Sequence, residues 1–433
     1  MPAAEGGDSR DLPQQAPLWY ADLHIHSRYS RATSPLCTLK HLAAAAQRKG
    51  IALLGTGDFT HPGWMATIRD TLEPAEPGLF RLAGRKADGE APGVPNPMPV
   101  RFMLTVEIAT IHSQGGRVRR VHHVVCVPDL DTAEALNREL GEIGNLNADG
   151  RPMLGLSCRN LLEIVLECGA RRGVRTVLFP AHIWTPWYAA LGSKSGFDSL
   201  QACYGDLVEH IFCAETGLSS DPAMNRRLSS LDRFRMLSFS DAHSPEVVGR
   251  EATRFSCTMN YDTLFRAVQG VEQGFEGTVE LFPEHGKYYL DGHRKCDVCW
   301  QPVETRKHEG RCPQCGKPVT VGVLNRIEAL ADRRQPAKIP LDAPFRALIP
   351  LRTVVAQMLG MKTTGGKRVQ ARCRQILSTL GPELPLLDTL PIEEISRRGE
   401  PALAEMIGRM RRGQVARSGG YDGLFGTVRI DEE

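Results

Sequence analysis

The sequence predicts an α/β protein: a closed or nearly closed barrel of strands and helices, then a small metal-stapled module and a helical C-terminal region. Three observations carry this reading. From Trp19 to about Glu284, short β-branched runs alternate with helical patterns, which is the signature of a βα architecture. Two Cys-x-x-Cys pairs follow close together. From about Leu324 the apolar spacing turns helical, in PLRTVVAQMLGM, QILSTL and ALAEMIGRMRR. The expected divisions are a disordered tail over 1–18, the barrel over 19–285, the cysteine module over 286–323 and the helical region over 324–433.

Within the barrel, candidate strands end the segments Tyr20–His26, Ile51–Asp58, Phe102–Glu107, Val121–Val127, Val174–Pro180, His210–Glu215 and Met236–Asp241. A helix over Thr38–Lys49 is closed by Gly50, and Ser157 caps another that opens NLLEIVLECGARR. Residues 83–99, rich in Gly and Pro and without periodicity, read as an exposed mobile loop. There is no internal repeat.

Composition bounds the function classes. The 433 residues are 42% hydrophobic and 24% charged, which excludes wholesale disorder. Lys+Arg 53 against Asp+Glu 50 gives +3, so net charge alone names no partner. No apolar run approaches the roughly 20 residues of a membrane span. The first residues carry acids and prolines where a signal peptide needs a basic and then an apolar stretch, so a cytoplasmic location is expected. Most of the 12 cysteines are scattered singly among apolar residues, the usage of a reduced compartment.

Metal-type residues gather where candidate strands end, and in a βα barrel those ends converge on one face. They are His24 and His26 in DLHIHS, Asp58 in LLGTGDFTHP, Glu107 in MLTVEIA, His123 in VHHVVCV, His182 in LFPAHIW, and Asp241 with His243 in SFSDAHS. Imidazole and carboxylate together suit Zn²⁺, Mn²⁺ or Fe²⁺, and a carboxylate such as Glu107 can bridge two ions. Adjacent strand residues point to opposite faces, so only one of His122 and His123 can face the site. His123 is taken because an aliphatic pair follows it. His61 and Glu215 are secondary candidates, read equally well as a loop residue and a supporting partner.

Cys296, Cys299, Cys312 and Cys315 have the spacing of a tetrahedral, structural Zn²⁺ site in a module with little core of its own. Redox Cys-x-x-Cys motifs are the rival reading, and the basic flanks Arg294, Lys295, Arg306, Lys307 and Arg311 also suit a phosphate backbone. Lys362, Lys367, Arg368, Arg372 and Arg374 surround a Thr-Gly-Gly turn that either grips phosphate or is a solvated basic face. Arg409, Arg411, Arg412 and Arg417 lie near Tyr421 and Phe425, which either stack on a base or close the fold.

The histidine and carboxylate motifs resemble those of the polymerase and histidinol phosphatase (PHP) superfamily. That resemblance implies a distorted (β/α)7 barrel and phosphoester hydrolysis with two or three divalent ions (Zn²⁺, Mn²⁺ or Mg²⁺). Two departures stand out. Thr56-Gly57-Asp58 replaces the usual TDH motif, so Asp58 stands where a histidine ligates, and SRYSRATS holds no further histidine. The segments AHIWTPW, GSKSGFDSL, ETGLSSDPAMN, SDAHSPEVVGREA, FPEHGKYYLDGHRKC and GGYDGLFG resemble the endonuclease Q family, in order and over nearly the whole chain. This implies incision 5′ to deaminated bases (uracil, hypoxanthine, xanthine) and abasic sites in DNA, with no obligate protein partner. On that reading Arg28 and Lys194 are phosphate clamps and Lys367 and Arg368 touch the backbone, while the loop of Trp184, Trp187 and Tyr188 either wedges the duplex open, lines a pocket for an everted base or is ordinary aromatic core. A small-molecule phosphoesterase and a non-catalytic DNA-binding scaffold are the alternatives.

Overall fold

The structure, a computed structural model, describes residues 17–84, 93–95 and 97–431. Most of the expected tail, 1–16, and the centre of the expected loop, 85–92 with 96, lie outside the described residues. Strand β1 (Trp19–Asp22) is buried at every residue, and the helix Leu39–Lys49 returns the chain to a parallel β2 (Ile51–Gly55). The Thr38 hydroxyl accepts the His41 N–H at the start of that helix, and Gly50 closes it in the left-handed region at φ 84°.

A short hairpin, β3 (Leu72–Pro74) and β4 (Phe80–Leu82), precedes the long β5 (Arg101–Gln114) and β6 (Arg117–Val127). These two are antiparallel in an unbroken register from Leu104↔Val127 to Gln114↔Arg117. Gly115 and Gly116 make the two-residue turn between them, both at positive φ (60° and 70°), the geometry such tight hairpins require. β7 (Met153–Leu154) runs beside β5, and the Ser157-capped helix Cys158–Arg172 leads to β8 (Val177–Pro180), antiparallel to β6. β9 (Cys213–Glu215) and β10 (Arg235–Leu237) form a separate parallel pair. β11 (Ala252–Phe255) and β12 (Phe275–Leu281) lead back to β1. Because β9 lies beside β8 and β10 beside β12, the strands run round in a nearly complete ring. The α/β class is as expected. The distortion comes from the antiparallel β5–β6–β8 and β1–β11–β12 pairings.

β13 (Asp291–His293) and β14 (Val298–Trp300) form the hairpin of the cysteine module, whose own apolar cluster is only Val298, Cys312 and Val319 with Cys296 and Trp300 against it. The C-terminal region is helical as expected but also carries strands that helical spacing did not indicate. β15 (Phe345–Leu348) extends the main sheet beside β12, and β16 (Val415–Ser418) pairs with β17 (Thr427–Ile430). One apolar cluster runs from Leu39 and Leu42 through Ile376, Leu384 and Leu387, so these helices share the barrel's core. No helix among the described residues is long and apolar enough to cross a membrane.

Polar ties reinforce this seam. Tyr20 donates its hydroxyl to Asp388 (2.9 Å), Arg254 reaches the same oxygen (3.3 Å), and Lys49 pairs with Glu383 (2.7 Å). Removing one partner of a buried pair strands the other charge. Asp388→Ala is expected to cost roughly 3–5 kcal/mol in a denaturant unfolding experiment, because Arg254 is left buried and unpaired.

Candidate metal centre

Glu107 is the hub, buried to 1% exposure in the middle of β5 rather than at a strand end. Its Oε1 receives His122 Nδ1 (2.6 Å) and His182 Nε2 (3.0 Å), and its Oε2 faces His26 Nε2 (3.3 Å) and Arg151 Nη1 (3.0 Å). Burial raises the carboxyl pKa, but the facing charges of His122, Arg151 and His24 overcome it and hold Glu107 well below the usual carboxylate range.

His24 and His26 follow β1 and are aimed by carboxylates behind them. Glu215 accepts from His24 Nδ1 (2.9 and 3.1 Å), and Asp58 accepts from His26 Nδ1 (3.2 Å). Both rings then present Nε2 to Asp241 Oδ1, at 3.6 and 3.1 Å. This carboxylate–histidine pairing is how proteins orient metal-ligating imidazoles. His24 Nε2 is buried and has no hydrogen-bond partner. An orphaned nitrogen aimed between two carboxylates fits a cation.

Three donor groups lie together: His24, His26 and Glu107; His26, Asp241 and His243; and Glu107, His122 and His182. A ring nitrogen binds one cation, so the two groups that share His26 Nε2 are one position. Glu107 links that position to the His122–His182 position as a bridging carboxylate does.

The structure departs from the sequence reading at three places. His122, not His123, enters the cluster. β6 register sends His123 to the opposite face, where its ring bonds Thr110 (3.0 Å) and Tyr204 (2.8 Å). Asp58 is not brought among the donor groups. Its Oδ2 already accepts the Ser27 N–H and hydroxyl (both 2.7 Å) and the Ser30 hydroxyl (2.9 Å). In the cysteine module, His293 joins Cys296, Cys312 and Cys315, while Cys299 is exposed because strand alternation in β14 turns Val298 inward. Although burial opposes it, the N–H groups of Gln314 and Cys315, with His293, draw the Cys312 thiol down to about 6. That favours the thiolate a metal needs.

Of the secondary candidates, Glu215 serves as the partner of His24 and also accepts the His182 N–H (2.8 Å), whereas His61 stacks on Tyr29 (4.3 Å) outside the donor groups. Trp184 is core, its indole donating to Asn225 (2.7 Å), but Trp187 is 39% exposed. Arg28 and Lys194 are exposed, as are Lys367 and Arg368 in the first turn of the helix Lys367–Leu380. Arg411 is spent on the carbonyls of Leu386, Leu387 and Leu390. Arg151 was missed by sequence reasoning. It lies in a polar loop and has no motif, and only its contact with Glu107 reveals it.

No protein-family model matches the chain. The lesion-specific endonuclease PfuEndoQ from Pyrococcus furiosus is 30% identical with a TM-score of 0.82, the match covering 96% of this chain and 96% of that chain. The chain belongs to the endonuclease Q family. A second endonuclease Q structure, in complex with a 27-mer duplex bearing an abasic lesion at its active site, is 30% identical with a TM-score of 0.81, covering 96% and 97%. An uncharacterized protein of Bacillus subtilis is 26% identical over 95% of this chain and 99% of its own length. One from Methanocaldococcus jannaschii is 30% identical over 57% of this chain, which spans 31% of that relative.

Two expected outcomes follow. Burial lowers the His24 and His26 pKa values, but Glu215 and Glu107 for the first, and Asp241, Asp58 and Glu107 for the second, raise both well above the ordinary 6.5. A binding cation must displace those protons, so affinity should fall as pH drops, beginning above 6.5. Calorimetry in buffers of different ionisation enthalpy should show about two protons released per chain at pH 7. In the cysteine module, Cys299→Ser should keep its ion, whereas His293→Ala and Cys312→Ser should lose it, read as zinc per chain after dialysis.

Proposed function

We propose that this chain is a metal-dependent DNA repair endonuclease that hydrolyses the phosphodiester 5′ to deaminated bases (uracil, hypoxanthine, xanthine) and abasic sites. The observation that carries this is the pair of donor sets sharing Glu107, in a chain alike from end to end to an endonuclease Q seen with a lesion-bearing duplex. Divalent cations held there supply Lewis acidity: they lower the pKa of water and neutralise phosphate charge.

The chain's own residues do the rest. His24, His26, Asp241 and His243 would hold one ion and His122 and His182 another, with Glu107 among the donors of both groups. Glu215 and Asp58 fix the imidazoles so that little reorganisation is needed at the moment of reaction. The His243 ring donates from Nδ1 to the Asp241 carbonyl (2.9 Å), which leaves Nε2 as an acceptor. At that atom it would join His26 and Asp241 as a donor to the ion.

The functional division follows the sequence. The barrel (19–285) cuts, the module (286–323) is a metal-stapled brace, and the region 324–433 grips DNA. Lys367 and Arg368 stand at a helix N-terminus without a side-chain cap, where cations are unfavourable unless an anion joins them. Arg28 and Lys194 are offered to phosphates. Trp187, edge-on to Tyr288 at 5.8 Å, borders the displaced base.

End-labelled duplexes carrying normal bases, deoxyuridine, deoxyinosine or an abasic site, incubated with Mg²⁺ or Mn²⁺, test this. A nick immediately 5′ to the lesion is expected, and His26→Ala, Glu107→Ala and Asp241→Ala should each lower incision at least about 1,000-fold with DNA binding retained. Release of phosphate from small phosphomonoesters, with every duplex intact, would instead assign a metabolic phosphoesterase.

A further inference from the structure

The segment Asp149-Gly150-Arg151 is latched into the centre from both sides. Asp149 accepts the N–H groups of Arg31 (3.3 Å) and Arg151 (3.1 Å), and Gly150 donates to the Tyr29 carbonyl (3.0 Å). Gly150 packs so closely that a Cβ there would lie 2.4 Å from Asp58 Oδ2 and 2.6 Å from Ser30 Oγ. Only glycine fits, and the consequence is that the next residue is delivered onto Glu107.

The Arg151 guanidinium meets Glu107 Oε2 at 3.0 Å through Nη1, with the side chain 25% exposed. It stands on the side of Glu107 away from the His122–His182 donors. Asp58 has its oxygens filled by Ser27, Ser30 and His26. A fixed cation of the protein therefore stands at Glu107 Oε2, opposite the oxygen that His122 and His182 approach.

We propose that Arg151 supplies a fixed positive charge beside the bound ions, its free guanidinium N–H groups binding a non-bridging oxygen of the scissile phosphate. A guanidinium suits this task because it is planar, permanently charged and able to hold a carboxylate and a phosphate oxygen at once. The inference rests on the phosphodiesterase reading above.

The test uses the full chain with its metals, and Arg151→Ala and Arg151→Lys. Metal content is measured by mass spectrometry before and after a mercurial reagent frees the thiol-bound ion. The number of ions that the reagent does not free is expected to be the same in the wild type and in both variants. Arg151→Ala should lower turnover by about 100-fold or more, both on lesion-bearing DNA and on bis(p-nitrophenyl) phosphate. Added methylguanidine should restore part of that loss, which a merely structural role would not allow, and Arg151→Lys should retain more activity than Arg151→Ala.

An ion count that differs between the wild type and Arg151→Lys overturns the proposal. So does an alanine variant that loses ions, or one that works within threefold of the wild type. If the wild type cleaves the small diester but nicks no lesion, the repair reading fails while the Arg151 result still stands or falls on the diester.

Discussion

A carboxylate removed from water survives as an anion only where positive charge converges on it, and Glu107 is such a group. Its two oxygens are approached by four imidazoles and one guanidinium, all from different parts of the chain. The tight turn at Gly115-Gly116 makes this geometry possible. It folds β6 back along β5 with no slack, so that His122 arrives beside Glu107 across the hairpin. Without that antiparallel pair, a regular parallel barrel would place Glu107 and His122 on strands separated by a helix.

The rest of the centre is held by strain and by pairing. Asp58, His182 and Asp241 all sit in the left-handed region, at φ 50°, 28° and 48°. Such conformations persist in non-glycine residues only where the surroundings over-determine them. Here the surroundings are visible: Ser27 and Ser30 grip Asp58, Glu215 accepts the His182 N–H, and Arg250 Nη2 donates to the Asp241 carbonyl. Glu215 behind His24 and Asp58 behind His26 form two parallel carboxylate–imidazole pairs. Glu215 thus serves two purposes, because it both holds the strained His182 backbone and aims the His24 ring.

Much of this was legible in the sequence, for identifiable reasons. His24, His26, His182 and Asp241 could be read because loops after barrel strands meet on one face, and that rule needs no side-chain detail. Glu107 could be read by residue type, although it lies mid-strand. The choice of His123 failed because the parity of a strand relative to the core cannot be set by the two aliphatic residues that follow it. Asp58 was assigned by its place at a candidate strand end, and hydrogen bonds from two serines, invisible in one dimension, occupy it outside the donor groups. β15 was hidden because a four-residue edge strand with a half-buried pattern has no period distinct from its helical surroundings. Arg151 had no signal, since its role depends on Gly150 fitting against Asp58.

The segment from β1 into the loop after it shows why the C-terminal region cannot be a loose appendage. Its odd residues Trp19, Ala21, Leu23 and Ile25 are apolar and buried, while its even residues all carry polar anchors. Tyr20 bonds Asp388 of the C-terminal helices, and Asp22 accepts the N–H groups of Ser240 (3.0 Å) and Gly249 (2.8 Å) on either side of Asp241 and His243. His24 and His26 then bond Glu215 and Asp58. Burial raises the Asp22 carboxyl to about 6 despite those donors, so even this anchor is a compromise between desolvation and hydrogen bonding. Because one segment carries all four attachments in alternation, a shift of one residue would break every tie at once. The helix that carries Asp388 is therefore registered to His24 and His26 through β1 itself, by backbone geometry rather than by a flexible joint.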